Sequence, residues 1–329
     1  MTSRAVAIAV ILVAIVAAAL LLYRAFRMPG RSYLGAAPPP ARDLVGELRH
    51  DVYALAGTIG ERNLVTTPEA FAEAAVFIED ALRKAGYAPQ RQTFEADDVP
   101  CANIEVEIRG AVNPNDIVII GAHYDTVAGS PGADDNATGV AALLAIARRF
   151  ASEQPARTVR FVAFANEEPP FFTTDRMGSW VYAKRSRDRG ERIVAMVSFD
   201  AIGFYSNDEG SQQYPAMLEA VYPSTANFVA FASNIGSRAL LQQCIDVFRG
   251  RATIPSEGGA LPEDIPGIGW SDQWSFWRHG FDAVMVTDTA LYRNPHYHTR
   301  TDLPDTLGYE ALARTTEGLL AVTRALASP

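Results

Sequence analysis

The chain has 329 residues, 48% of them apolar and 20% charged, the make-up of a folded protein with room for one large domain or two modest ones. Its formal charge is −9, and Lys84 and Lys184 are the only lysines among 29 basic residues. With no basic run interleaved with aromatics, this balance argues against nucleic acid as a partner. Cys101 and Cys244 are too few for a disulfide framework; they could pair, or be two unrelated buried thiols.

The N-terminus carries the first organisational signal. Residues 5–23, "AVAIAVILVAIVAAALLLY", contain neither charge nor proline, about the ~20 residues a helix needs to cross a bilayer. Small residues at 17–19 offer a cleavage site, but "LLLY" follows directly, which favours an uncleaved anchor over a signal peptide. Arg4 flanks one side and Arg24, Arg27 and Arg31 the other, so charge alone would place the larger cluster in the cytoplasm. The expected division is therefore an anchor with short flanks over 1–27, a Pro/Gly-rich linker over 28–42, and a folded domain over 43–329.

Past the linker, Leu44, Leu48, Val52, Leu55 and Ile59 recur at near-helical spacing. A second helix is expected from about Thr67, with Pro68 at its start and Gly86 just past its end. "NIEVEIRG" from 103 alternates as a half-buried strand does. "DIVIIGAH" from 116, "TVRFVAFA" from 158, "IVAMVSFD" from 193 and "DAVMVTD" from 282 are short β-rich runs. Helical stretches fit between them, notably "ATGVAALLAIARRF" from 137 and "TTDRMGSWVYAKRS" from 173. This alternation predicts an α/β domain with a largely parallel sheet and helices on both faces.

Sites in such sheets form at the carboxyl ends of the strands. Here one strand runs into His123, the next into Glu167 and Glu168, the next into Asp200. Loading negative charge onto one rim is costly unless a cation or protons neutralise it. "GAHYDT" places His123 and Asp125 two apart, "GADDNATG" puts Asp134 and Asp135 in a turn before a helix, and "NPHYHT" offers His296 and His298. Taken singly, each has a bland alternative: a structural histidine, or an Asp that caps a helix. Together they supply oxygen donors and imidazoles, a mixture suited to zinc, with more carboxylates than one ion needs. A carboxylate left off the metal could then move a proton.

"IIGAHYDTVAGSPGADDNATGVAALL", "FANEEPP", "SFDAIG" and "YRNPHYHTRTDLPDTL", in that order, resemble the zinc aminopeptidases of the M28 peptidase family. The resemblance implies a three-layer α/β/α fold around a mostly parallel, mixed sheet, and a centre of two Zn2+. It implies that His123 and Asp200 bind one zinc, that Glu168 and His298 bind the other, and that Asp135 bridges them. Glu167 would be the general base, Asp125 would orient His123, and the Asp135–Asn136 peptide would be cis. Asp134 and His296 receive no ligand role. The chain departs from the pattern at Gln273, where histidine is frequent, and at Ala201, where a larger apolar residue is usual.

The implied reaction is removal of N-terminal residues from peptide substrates by a membrane-anchored enzyme whose catalytic domain faces the periplasm or the exterior. Rival readings are a one-zinc aminoacyltransferase like the glutaminyl cyclases, and a silent binding ectodomain. The oligomeric state is not legible. Residues 203–280 are the least predictable; they carry Phe204, Tyr205, Trp270, Trp274, Phe276 and Trp277, with Tyr292 just beyond. An apolar substrate pocket or plain core packing would each use such aromatics.

Overall fold

Ile117, Val118, Ile119 and Ile120 form an unbroken apolar run, so the strand that carries them must be covered on both faces. That is how the chain folds in the computed structural model, which describes residues 6–14, 16, 26–215 and 218–328. The strands are β1 (Gln90–Ala96), β2 (Val99–Ile108), β3 (Asn113–His123), β4 (Arg157–Phe164), β5 (Arg192–Phe199), β6 (Val229–Ser233), β7 (Ser256–Ala260) and β8 (Ala283–Thr287). They form one sheet in the order β1-β2-β4-β3-β5-β8-β6-β7. The block β4-β3-β5-β8 is parallel throughout, β1, β2 and the β8–β6 junction are antiparallel, and β7 pairs parallel with β6.

The period of two divides the core. Val118 and Ile120 of β3, with Phe161 and Ala163 of β4, enter the larger apolar cluster. Ile119, Val162 and Phe164 enter the other. The larger face is covered by α1 (Arg42–Val52), α2 (Pro68–Lys84), α3 (Gly139–Phe150), α5 (Arg238–Arg249) and α7 (Tyr309–Ala327). The smaller is covered by α4 (Gly178–Asp188) and α6 (Gln273–Arg278). A mixed sheet between two helical layers is the fold expected from the sequence.

Several local expectations shift. The first helical pattern runs as α1 to Val52 and continues as a wider π turn over Tyr53–Ile59, with Leu44, Leu48, Val52 and Leu55 buried. The stretch from 173 does not start a helix until Gly178. Pro169 and Pro170 precede a turn in which Phe171 and Phe172 donate to the Glu168 carbonyl at 3.0 and 3.2 Å, while Gly178 N donates to Ala165 O at 2.7 Å. β1, β6 and β7 escape the sequence reading. β1 forms a hairpin with β2 through Asp97 and Asp98, both at positive φ, as a tight two-residue hairpin turn requires. Cys101, on β2, and Cys244, on α5, are both buried free thiols.

At the N-terminus, residues 6–14 are helical and exposed. Residues 17–25, and with them about half of the stretch expected to cross a membrane, lie outside the described residues. Among those described, no helix is long and apolar enough to span a bilayer.

One close approach tests the packing of the central strands. A Cβ on Gly121 of β3 would lie 2.3 Å from the Phe164 ring. That ring is itself held edge-on by Tyr182 at 5.7 Å and Phe276 at 6.1 Å, so it has nowhere to move. Gly121→Ala should lower stability by about 1–3 kcal/mol in urea unfolding, the usual cost of overpacking; an unchanged midpoint would contradict this packing.

Candidate metal centre

The carboxyl ends of the four parallel strands open onto one rim. His123 is the last residue of β3, Glu167 and Glu168 follow β4, Asp200 follows β5, and the turn bearing His298 follows β8. Asp135 reaches the same rim from the turn between β3 and α3. Two sets of three ligand atoms converge there: His123, Asp135 and Asp200 in one, Asp135, Glu168 and His298 in the other. Asp135 belongs to both. Its Oδ1 lies 3.2 Å from His123 Nε2, and its Oδ2 lies 3.0 Å from His298 Nε2. Asp200 Oδ1 is 3.6 Å from His123 Nε2, and Glu168 Oε1 is 3.3 Å from His298 Nε2.

Asp125 sits behind the rim. Its oxygens accept the backbone N–H groups of Glu167 and Glu168, both at 3.0 Å, and Oδ1 lies 3.5 Å from His123 Nδ1. One buried carboxylate therefore fixes the turn that presents both glutamates. Asp302 does the same for the shared ligand, accepting from Asp134 N at 2.9 Å and Asp135 N at 3.2 Å. Asn136 donates to Phe199 O at 2.8 Å and accepts from Ala201 N at 3.2 Å, tying the Asp135 turn to the end of β5. The Asp135–Asn136 peptide is cis. Asn166, Ala201 and His298, each at or beside a rim carboxylate or imidazole, have positive φ, a conformation that costs a non-glycine residue about 1–3 kcal/mol and is held by its surroundings.

Burial and mutual charge set the ionisation of the rim. Burial raises Glu168, and Asp135 adds to this; with partial relief from His298 it stands at about 7. Burial also pushes Glu167 well above the usual carboxylate range; His123 offsets part of this, while Glu168, Asp200 and Asp272 reinforce it. Asp135 goes the other way: burial would raise it, but His123 and His298 hold it well below the carboxylate range. Burial opposes protonation of both histidines, yet the carboxylates around them win. His123 is raised well above an ordinary imidazole, and His298 to about 10. Both His123 ring nitrogens are buried without a hydrogen-bond partner.

This arrangement fits a metal. An orphaned imidazole nitrogen aimed at carboxylates, and two nitrogen/oxygen sets of three, match the ligands zinc takes. Glu167 belongs to neither set, and no hydrogen bond to its carboxylate is present among the described residues.

Some participants left no mark in the sequence pattern. Arg62 is fully buried and donates to the carbonyls of Tyr124, Gly60, Pro131 and Gly132 at 2.6–3.1 Å, holding the loop that precedes Asp135. Burial lowers it to about 10, against the pull of Asp125, Asp302, Asp135 and Glu168. Asp272 is buried with both oxygens unpaired, near His123, Asp200 and Asp125 in charge. Only the chain fold brings these residues to the rim; a lone Arg or Asp in a loop carries no spacing signal. Tyr297 stacks on the His298 ring at 3.8 Å with its phenol in the field of Asp135, Glu168, Asp200 and Glu167. Asp134 accepts from Gly203 N at 2.9 Å and Asn294 Nδ2 at 2.7 Å, and His296 pairs with Thr301 at 2.9 Å, so neither joins the two sets. Gln273 is buried, bonded to Ser198 and to Ile268 O.

The sequence pattern of Peptidase family M28 matches residues 103–323. The chain belongs to peptidase family M28. An uncharacterized protein of Escherichia coli K12, YfbL, is 35% identical over 257 residues, covering 75% of this chain and 78% of its own. A probable leucine aminopeptidase of Arthroderma otae is 28% identical over 59% of this chain, which spans 49% of that relative's length. Among solved structures, BSAP, a zinc aminopeptidase from Bacillus subtilis, superposes with a TM-score of 0.67 at 15% identity, over 88% of this chain and 95% of its own. A glutaminyl cyclase of Bacteroides thetaiotaomicron gives 0.62 at 15% identity, over 88% and 99%. At these identities the likeness is one of fold, which a peptidase and a cyclase share, so the reaction has to be read from the residues.

The ionisation pattern has a direct consequence. Without metal, Glu168 keeps its proton up to about pH 7 and His298 up to about pH 10. Zinc held by these two groups would compete with their protons, so its binding should release them, and its affinity should rise with pH through this range. Calorimetry at pH 6.5 in buffers of different ionisation heat should detect net proton release; none would contradict the assignment.

Proposed function

We propose that the chain is an aminopeptidase with a co-catalytic pair of zinc ions and Glu167 as general base. One observation carries this reading: two complete ligand sets that share Asp135, with a buried glutamate beside them that joins neither. His123 and Asp200 would hold one ion, Glu168 and His298 the other, and Asp135 both. Bound there, the ions would supply Lewis acidity toward a peptide carbonyl and lower the pKa of water.

The chain's own groups then carry the proton chemistry. Glu167, raised by burial and by its acidic neighbours, takes a proton from the attacking water as the carbon–oxygen bond forms. It returns that proton to the departing amine nitrogen as the carbon–nitrogen bond breaks. Asp125 keeps Glu167 and Glu168 in place through their amides. Tyr297, whose ring stacks on His298 and lines the cavity beside Asp200, would offer a phenol donor to oxygen as negative charge develops. An acidic rim favours the ammonium end of a peptide over its carboxylate end, which supports attack at the N-terminus. Both ligand sets are complete, which supports hydrolysis over a one-zinc cyclase reaction.

The substrate's first side chain has a place to go. A cavity of about 110 Å3 adjoins Asp200 and Tyr297 and is lined by Tyr214, Leu218, Phe228, Trp270, Met285 and Tyr292. Its small floor residues, Ala230, Ala232 and Gly259, leave that space open. Of the aromatics singled out in the sequence, Phe276 and Trp277 are core, whereas Trp270 and Tyr292 line this cavity. The uncharged stretch 5–23 supports a membrane anchor; the resemblance to M28 peptidases, set against the Arg24, Arg27 and Arg31 cluster, supports a catalytic domain outside the cytoplasm.

The full chain, assayed on aminoacyl anilides, should be active in carbonate-washed membranes and, in intact cells, should act on an impermeant substrate. Glu167→Gln should keep both metals and lose about 10²–10⁴ in kcat. Glu168→Ala should lose metal from one site. Two glutamate variants with full metal content and full activity would sink the reading.

A further inference from the structure

The segment 26–32 is without a role in the site described so far, yet it packs onto β7, the outer strand of the sheet. Met28 N donates to Gly258 O at 2.9 Å, and Ser256 N donates to Ser32 Oγ at 2.7 Å. Met28 is 1% exposed, and Tyr222 donates its hydroxyl to Phe26 O at 2.9 Å. The segment thereby covers strand edge that would otherwise be open.

The pleat of β7 gives this contact a chemical meaning. A Cβ on Gly258 would meet Ile245 and Met28, on the larger-core face. Glu257 and Gly259 therefore point to the other face, and both line the apolar cavity beside Asp200. Apart from Asp200, which belongs to the metal centre, Glu257 is the charged residue among those lining the cavity. Its side chain is only 8% exposed, and Arg27 grips it from the strapped segment: Nε to Oε2 at 3.2 Å and Nη2 to Oε1 at 3.0 Å. Such a fork neutralises a carboxylate and occupies both its oxygens.

We propose that Arg27 is a specificity-determining residue: by pairing with Glu257 it keeps the cavity electrically neutral, so the site takes an N-terminal residue with an uncharged apolar side chain. The proposal rests on the aminopeptidase reading above and names the substrate class of that site. A buried carboxylate stripped of its partner is costly, and the cheapest remedy is a new cation. Without Arg27, the ammonium of an N-terminal lysine becomes that cation. Arg27 acts through Glu257 rather than on the substrate, so it is a positioning residue for charge.

The test compares the metal-loaded full chain in detergent micelles with Arg27→Met, Glu257→Gln and the double variant. Two readouts are taken: kcat/KM for leucyl- and lysyl-4-nitroanilide, and Kd for leucinamide and lysinamide by calorimetry. Arg27→Met should lower the leucyl-to-lysyl ratio about tenfold or more in both readouts, the scale at which one pocket interaction discriminates substrates. Glu257→Gln and the double variant should keep the preference for leucyl over lysyl, because neither leaves an unpaired carboxylate in the cavity for a lysine ammonium to meet. A merely structural role for Arg27 would scale both side chains equally; an unchanged ratio overturns the proposal, as does a double variant shifted as far as Arg27→Met. If neither anilide is turned over while the amide preference switches, the proposal stands and the aminopeptidase reading falls.

Discussion

Asp135 is the point on which the site turns. One buried carboxylate faces His123 through one oxygen and His298 through the other, and so joins two ligand sets that would otherwise be unrelated. Around it, Glu167, Glu168, Asp200 and Asp272 are gathered on one rim in a way that like charges resist. Burial and that gathering raise Glu167, Glu168 and Asp272 above the usual carboxylate range, and cations held there would offset the repulsion.

Holding such a rim requires support from below, and the support is mostly backbone. Asp125 and Asp302 each accept two amide groups and so fix the turns that carry Glu167, Glu168 and Asp135. Arg62 places a cation beneath the acids while its hydrogen bonds go to carbonyls of the loop. Parallel pairing of β4, β3, β5 and β8 aims their carboxyl ends at one place, which is why residues far apart in sequence meet. The antiparallel flank at β6 and the parallel β7 leave a cavity beside Asp200.

Much of this was legible in the chain. The strands from 116, 158, 193 and 282 are continuous β-rich runs, and their ends carry the acids and histidine that mark the rim. β6 and β7 were not legible, because "VAFAS" and "SEGGA" hold small residues where a strand pattern expects large ones. The cavity explains that choice: larger side chains at Ala230, Ala232 or Gly259 would fill it. Asp272, Asp302 and Arg62 left no signal, since their roles come from contacts over long sequence separation. The Pro/Gly-rich stretch after residue 28 reads as a linker, yet its first residues are held by side-chain and edge contacts that composition does not encode.

We propose that two metal ions share Asp135. Anomalous diffraction from zinc-loaded crystals, collected on either side of the zinc edge, tests it most directly. Two peaks are expected, one among His123, Asp135 and Asp200, the other among Asp135, Glu168 and His298. A single peak at saturating zinc, or peaks away from Asp135, would contradict it.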